Sequence, residues 1–384
     1  MILISILLIV FCCLIIWRAS DGFEAASEHL GRGMSEGVRG ATINAIGSSM
    51  PELFTTLFFL FLLKDTDGFA GGIGTTAGSA IFNGMIIPAV VILVVVMQGV
   101  SRHVEVSRKV ILRDGLSLLA CEFVLIFLLG GDALNWWHGA ILMGLYAAYV
   151  TFMLTSMKRQ VDAVGEVEVE VLEEEEKVNS GRRSLGMNLI TLNLEPIFVK
   201  DRIGTWSAWS MLLFSMLIIG GACMLLVKSC EWLGGGLSVP IYFVALILAS
   251  AATSVPDTIL SMKDAKKGNY DDAVSNALGS NIFDVCFALG FPLFLFTLIF
   301  GPIHMNPETV LNVSELRILL FLLTIVAFII YIAKPKMGLS SAVMLLGIYL
   351  GFTAYIMGRA LGWEWSDGIA EGLREINEVI NGFR

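Results

Sequence analysis

Residues Gly47-Ser48-Ser49-Met50-Pro51-Glu52 are matched almost position for position by Ala252-Thr253-Ser254-Val255-Pro256-Asp257. Further along, Gly78-Ser79-Ala80-Ile81-Phe82-Asn83 is matched by Gly279-Ser280-Asn281-Ile282-Phe283-Asp284. Each copy holds a hydroxyl pair, a helix-breaking proline and a carboxylate, then a Gly-Ser segment that ends in Asn or Asp. The spacing is similar too, 31 residues from Glu52 to Asn83 and 27 from Asp257 to Asp284. The candidate ligands are Glu52, Asp257, Asp284, Asn83, Ser48, Ser49, Thr253, Ser254, Ser79 and Ser280, all oxygen donors. No thiol or imidazole competes with them. Hard oxygen sets of this kind suit Ca2+ and small monovalent cations rather than zinc or copper.

These acids lie in apolar sequence. The chain of 384 residues is 56% hydrophobic and 15% charged, with a mean hydropathy of +0.79. A water-soluble domain could not hide that much apolar surface, so the chain belongs in a bilayer. Carboxylates inside a membrane are costly and mark ion or proton paths. The six cysteines fall in or beside apolar runs without CxxC or Cys/His spacing, and read as small buried hydrophobes. The net charge of −9 is concentrated in one loop and the C-terminus and leaves no nucleic-acid footprint. The expected partners are inorganic cations and lipid; no cofactor and no enzymatic reaction is expected.

A crossing helix needs about 20 apolar residues. Ten candidates run roughly over 2–17, 35–63, 71–98, 110–129, 136–157, 206–227, 239–262, 273–300, 316–333 and 340–358. The first lacks a basic leader and a small-residue cleavage site, and is expected to be a retained helix. Span two is interrupted by Gly47 and Pro51 and span seven by Pro256. Lys and Arg cluster after spans one, three, five, seven and nine, which puts both termini outside and the long central loop in the cytoplasm. Five spans per half is an odd number, so the second half must be inserted upside down relative to the first. The expected fold is an all-α membrane protein of ten transmembrane helices, two inverted five-helix repeats with broken helices at the midplane. The expected parts are a first half over 1–157, a cytoplasmic acidic linker over 158–205, a second half over 206–358 and an interfacial amphipathic tail over 359–384. The acidic run Glu166 to Glu176 reads as a solvated, self-repelling linker.

The spacing also suggests a geometry. A helix broken near Pro51 frees backbone carbonyls that can point at a cation beside Glu52, and the inverted copy does the same around Asp257. Ser79 and Asn83 share one helical face, as do Ser280 and Asp284. Gly78 and Gly279 let that face approach the broken helix closely.

The two motif pairs together resemble the alpha repeats of the cation/calcium antiporter superfamily, the sodium/calcium exchangers. The resemblance covers about 33–98 and 238–297 closely. It implies exchange of Ca2+ against Na+ by alternating access. Glu52 and Asp257 would be the central calcium carboxylates, and Ser49 and Ser254 would offer oxygens for sodium, with Ser48 and Thr253 beside them. Ser79, Ser280, Asn83 and Asp284 would complete the cage. Asp at 257 and 284, with the stretch Asp264 to Asn276, is most similar to the potassium-dependent branch, in which the acid matching Asp284 is associated with K+. Ser48 stands where the family often has Thr. Three other readings compete. A proton/calcium exchanger would carry Gly-Asn-x-x-Glu at the broken helix, where this chain has Ser-Ser-Met-Pro-Glu. An intramembrane aspartyl protease would need Gly-x-Gly-Asp and Tyr-Asp in adjacent spans; the only Tyr-Asp, Tyr270-Asp271, falls in a basic loop. A cation channel would draw its symmetry from subunits rather than from an internal repeat.

Overall fold

Residues 1–30, 38–64, 66–164, 188, 191–198, 204–334 and 336–381 are described by the computed structural model of the chain. The acidic run from Glu166 to Glu176 lies outside them. Helix α1 (Ile2–Leu30) is followed by α2 (Gly40–Ser48) and α3 (Met50–Leu63), then α4 (Thr66–Met97), α5 (Arg108–Leu128) and α6 (Trp136–Val164). A short α7 (Glu195–Phe198) precedes the second series. This comprises α8 (Thr205–Leu237), α9 (241–253), α10 (Val255–Lys266), α11 (Tyr270–Phe300), α12 (Pro307–Ala333), α13 (Leu339–Leu361) and α14 (Glu364–Asn381).

The break between α2 and α3 falls at Ser49, where φ and ψ are −91° and 11°. The equivalent break between α9 and α10 falls at Ser254, with φ −79° and ψ 0°. Pro51 and Pro256 therefore sit in the first turn after each break, where their missing N–H does least harm. Each still leaves one carbonyl upstream without its helical donor, Gly47 and Ala252 by the i−4 rule. The first break bends its helix by 46°. Upstream of both breaks the helix opens into a single π-turn, at Gly40–Asn44 and at Ala245–Ala249. The two turns and the two breaks share one offset of 205 residues, so the copies agree in backbone as well as in sequence.

The two halves are seated on each other. A Cβ at Gly78 on α4 would collide with the Leu246 carbonyl and Ser250 of α9, and one at Gly279 on α11 would lie 2.7 Å from Ala41 Cα of α2. Each straight helix thus rests on the broken helix of the opposite half as well as on that of its own, where Gly71 and Gly72 of α4 lie against Phe59 and Thr56 of α3. The loops repeat the relationship. Strand β1 (Val104–Glu105) pairs antiparallel with β4 (Lys336–Met337), and β2 (Ala133–Leu134) with β3 (Ile303–His304).

Eight helices are long and apolar enough to cross a membrane, or nine if α2 and α3 count as one bent span, among the described residues. The ten spans read from the sequence are not reached by length and composition alone. Helix α5 accounts for the difference: it is 21 residues long but carries Arg108, Lys109, Arg113, Asp114 and Glu122. Most helices also outrun their apolar cores; α1 extends to Leu30 and α8 to Leu237. Proline bends are accommodated locally. Pro88 inside α4 denies Gly84 its helical donor, and the Tyr331 hydroxyl of α12 donates to that carbonyl instead. The terminal helix α14 buries Ser366, Ala370 and Leu373. It is pinned by Arg374 Nη2 to Glu315 at 2.5 Å and by Arg317 Nη2 to Asn377 at 2.5 Å.

Candidate cation site

Glu52 stands in the first turn of α3 and Asp257 in the first turn of α10, immediately beyond the two breaks. Ser79 and Asn83 project from the middle of α4, Ser280 and Asp284 from the middle of α11. All six side chains are fully buried. Ser79 Oγ donates to Glu52 Oε1 at 3.0 Å, and Ser280 Oγ donates to Asp257 Oδ1 at 2.7 Å. These are the same bond in the two copies.

The copies then diverge. Asn83 Nδ2 crosses to the other half and donates to Asp257 Oδ2 at 3.1 Å. The matching position in the second copy is Asp284, which has no N–H to offer Glu52. Ser79 stands between the two acids instead, 2.9 Å from Asp284 Oδ2 and 2.8 Å from Ser254 Oγ. Ser254 also reaches Glu52 Oε1 at 3.5 Å. A hydroxyl has one proton to donate. Ser79 can satisfy only one of the two carboxylates that face it, so the other needs a cation or a proton of its own. Glu52 Oε2, Asp284 Oδ1 and Asn83 Oδ1 are buried and have no hydrogen-bond partner among the described residues. Buried acceptors left open in this way are expensive unless a ligand meets them. Three acids with no basic side chain hydrogen-bonded to them, among the described residues, bound a cage of oxygen atoms, the donor type that hard cations prefer.

The remaining expected ligands lie at the edge. Ser49 is at the first break beside Asp284. Thr253 lies beside Glu52 but donates its hydroxyl to the Ser250 carbonyl at 3.1 Å. Ser48 lies beside Asp257 and donates to the Asn44 carbonyl at 2.8 Å. Both hydroxyls are thus turned back onto their own helices. No three His, Cys, Asp or Glu side chains form a compact metal cluster among the described residues; hydroxyl and amide groups separate the three acids.

The surroundings differ on the two sides. A cavity of about 620 Å3 opens at one end, lined by Leu63, Ala70, Glu231, Tyr242, Glu308 and Asn312. Ala70 is nine residues before Ser79 on α4, roughly 14 Å at the helical rise. At the other end the halves are tied by Arg39 to Asp272 at 2.6 Å, and α1 to α10 by Lys263, 3.1 Å from Asp21 and 2.6 Å from Glu24.

Several polar residues escaped the sequence reading. Asn276 of α11 reaches Ser48 Oγ at 3.4 Å, the Asp257 carbonyl at 3.4 Å and Ser261 Oγ at 3.1 Å, bracing the second break. Asp114 of α5 accepts from Arg113, Ser275 and Tyr149. Glu122 of α5 and the Glu315 and Arg317 pair of α12 are buried as well. The available signal was a charge inside an apolar span, which is unusual by itself.

Duplicated halves seated on one another, with broken helices meeting at a shared acidic cage, define an inverted-repeat membrane protein of the secondary-transporter class. The chain belongs to the sodium/calcium exchanger protein family, whose description matches residues 4–155 and 207–358. It is 26% identical over 433 residues to human sodium/potassium/calcium exchanger 5, a match covering 93% of this chain and 84% of that protein. To the mouse sodium/potassium/calcium exchanger 4 it is 35% identical over 127 residues, which is 33% of this chain and 19% of that protein. Among solved structures, the sodium-calcium exchanger NCX_Mj soaked with 10 mM Na+ and zero Ca2+ is similar with a TM-score of 0.57 at 21% identity, covering 92% of this chain and 99% of that one. That likeness is one of fold.

Proposed function

We propose that the chain is an antiporter that exchanges Na+ for Ca2+ by alternating access, with K+ moving together with Ca2+. The observation that carries this reading is the cage of Glu52, Asp257 and Asp284, which draws on both halves and holds two carboxylate oxygens, Glu52 Oε2 and Asp284 Oδ1, that no donor among the described residues meets. Ca2+ cancels two of the three negative charges. The third lies at the corner of Glu52, Ser79 and Asp284, where a monovalent cation would balance it. Human sodium/potassium/calcium exchanger 5 is named for the same three ions, which supports K+ there over a proton. Ser49, Ser254, Ser79, Ser280 and Asn83 supply the neutral oxygens, and Ser48 and Thr253 turn inward when their helices shift.

The wide cavity at Glu231 and Glu308 is the entry on the outer side, and the ion pairs at Arg39 and Lys263 close the cytoplasmic side. This assignment rests on the Lys/Arg asymmetry of the loops, with both termini outside and the linker over 158–205 in the cytoplasm. Helix α5 is the tenth span: Arg113 and Asp114 pair with each other, and Arg108 and Lys109 stand in its first turn. The blocks matched by the family description, 4–155 and 207–358, support a division into halves over 1–157 and 206–358. The tail over 359–384 lies at the membrane interface, its outer face carrying Trp365, Ile369, Ile376 and Val379. A plasma or inner membrane fits a chain of this kind.

The test is Ca2+ uptake into proteoliposomes under imposed Na+, K+ and pH gradients. Uptake driven by Na+ and stimulated by K+ is expected. Uptake driven by a pH gradient alone would make the protein a proton/calcium exchanger instead.

A further inference from the structure

One intramembrane acid has no part in the cation cage. Glu122 sits on α5, fully buried, between α12 and α11. Thr324 Oγ1 of α12 donates to its Oε1 at 2.8 Å, and Oε2 has no hydrogen-bond partner among the described residues. Beside this pair is a cavity of about 10 Å3, lined by Thr324, by Leu118 one turn before Glu122, and by Asn281. That is the room one water needs. Asn281 has a buried Oδ1 without a hydrogen-bond partner among the described residues, while its Nδ2 donates to the Ala80 carbonyl at 2.9 Å. Thr324 of α12 thus both bonds Glu122 of α5 and lines the cavity that Asn281 of α11 also lines, where apolar packing would be the default.

The charged and titratable groups around Glu122 do not neutralise it. Cys121 is its neighbour on α5 and Cys286 faces it from α11. Arg317 of α12 bonds the Ile126 carbonyl one turn further along α5, and Asn377 of α14. From α6, Tyr149 bonds Asp114, and Tyr146 lies towards Cys286. One neutral hydroxyl is the only hydrogen-bond partner of the Glu122 carboxyl among the described residues. An ionised carboxylate so placed would be an uncompensated buried charge, whereas the neutral acid is tolerated.

We propose that Glu122, Thr324 and the small cavity bounded by Asn281 form a second intramembrane site, whose ligand is a proton. Asn281 adjoins Ser280 on α11, so the site lies against the helix that carries half of the cation cage. Loss of the proton would place a charge behind that helix and draw water into the cavity, and exchange would slow in alkaline solution. Only this last step rests on the exchanger reading.

The test uses the full-length protein in lipid vesicles. Deuterium-sensitive infrared spectroscopy reads protonated carboxyl groups without reference to transport. At neutral pH the wild type should show a protonated carboxyl band that Glu122→Gln lacks, and the band should vanish at alkaline pH. Thr324→Val, which removes the one donor to the carboxylate, should hold the band to higher pH. In transport, Glu122→Gln should match the wild type at neutral pH and keep its uptake where the wild type falls, about tenfold per pH unit past the titration. Identical neutral spectra for the wild type and Glu122→Gln would mean an ionised, merely structural acid and would overturn the proposal. A titration unmoved by Thr324→Val would overturn it too, including where Glu122→Gln fails to fold. If the vesicles show no Na+-driven uptake at all, the exchanger reading falls and the infrared result still decides the proton site.

Discussion

Asn83 in the first half donates its amide to Asp257 in the second at 3.1 Å, yet the residue equivalent to Asn83 is itself an acid, Asp284. The duplication is therefore symmetric in backbone and asymmetric in charge. One corner of the cage is a satisfied acid and amide pair. The other is two acids sharing a single serine hydroxyl.

Asp284→Asn would restore the symmetry by supplying the missing donor and removing the third negative charge. Na+-driven Ca2+ flux should persist, and any stimulation by K+ should disappear. Flux is measured with K+ replaced by choline at fixed Na+ and membrane potential. If the wild type is indifferent to that replacement at several pH values, no K+ occupies the corner.

Glu52→Gln and Asp257→Asn keep size and remove a charge that, on the proposed reading, would face a divalent ion in a low-dielectric site. Breaking one side of such a pairing costs about 3–5 kcal/mol, so Ca2+ binding should weaken more than a hundredfold. Calcium titration of the purified protein reads this, and Na+ should compete in the wild type. A variant that binds Ca2+ normally takes its residue off the ligand set.

Ser79→Ala and Ser280→Ala remove equivalent hydroxyls with unequal consequences. Ser280 serves Asp257, whereas Ser79 stands among Glu52, Asp284 and Ser254. A hydrogen bond to a charged group contributes about 1.5–3 kcal/mol. Ser79→Ala should therefore impair cation binding by roughly ten- to a hundredfold, and Ser280→Ala by less. Equal losses would mean that the shared position of Ser79 has no energetic meaning.

Gly78→Ala and Gly279→Ala push a methyl group into the backbone of the opposite half. Overpacking costs about 1–3 kcal/mol or more, so both should lower the melting temperature in detergent. Gly84→Ala is the control, because its Cβ would meet nothing nearer than the Asn281 amide at 3.6 Å. A melting temperature unchanged by all three would contradict the close approach of the halves.

The six residues that the fold brings together were legible because each belongs to a motif that occurs twice, which lifts it above single-copy explanations. How they pair was not. The sequence groups Asn83 with Glu52, in its own copy, but the fold joins it to Asp257, since each straight helix crosses the other half's broken helix. The breaks were placed near Pro51 and Pro256, and the backbone departs at Ser49 and Ser254, two residues earlier, because a proline is welcome in a first turn. Asp114, Glu122, Glu315 and Arg317 stayed hidden for a different reason. Each is matched by a residue on a distant helix, and hydropathy averaged along one span cannot see such a partner. The same averaging cut α1 and α8 short, since it ends where the apolar run ends and the helix does not.

The crossing of the halves also bears on how the protein is made. Glu52 is synthesised about 200 residues before Ser254, Asp257 and Asp284 exist. At 5–20 residues per second that interval lasts about 10–40 s. Through it, the side chain is already in or near the bilayer with Ser79 as its one eventual partner from the same half. A lone carboxylate is not stable in hydrocarbon, so the nascent first half must hold Glu52 as the neutral acid or at the membrane surface, and the second half must release it. Insertion of the α9–α11 segment is then the step that brings Ser254, Asp257 and Asp284 to Glu52 and, on the proposed reading, completes the cation site. A nascent chain stopped before that segment would be inserted but unable to bind.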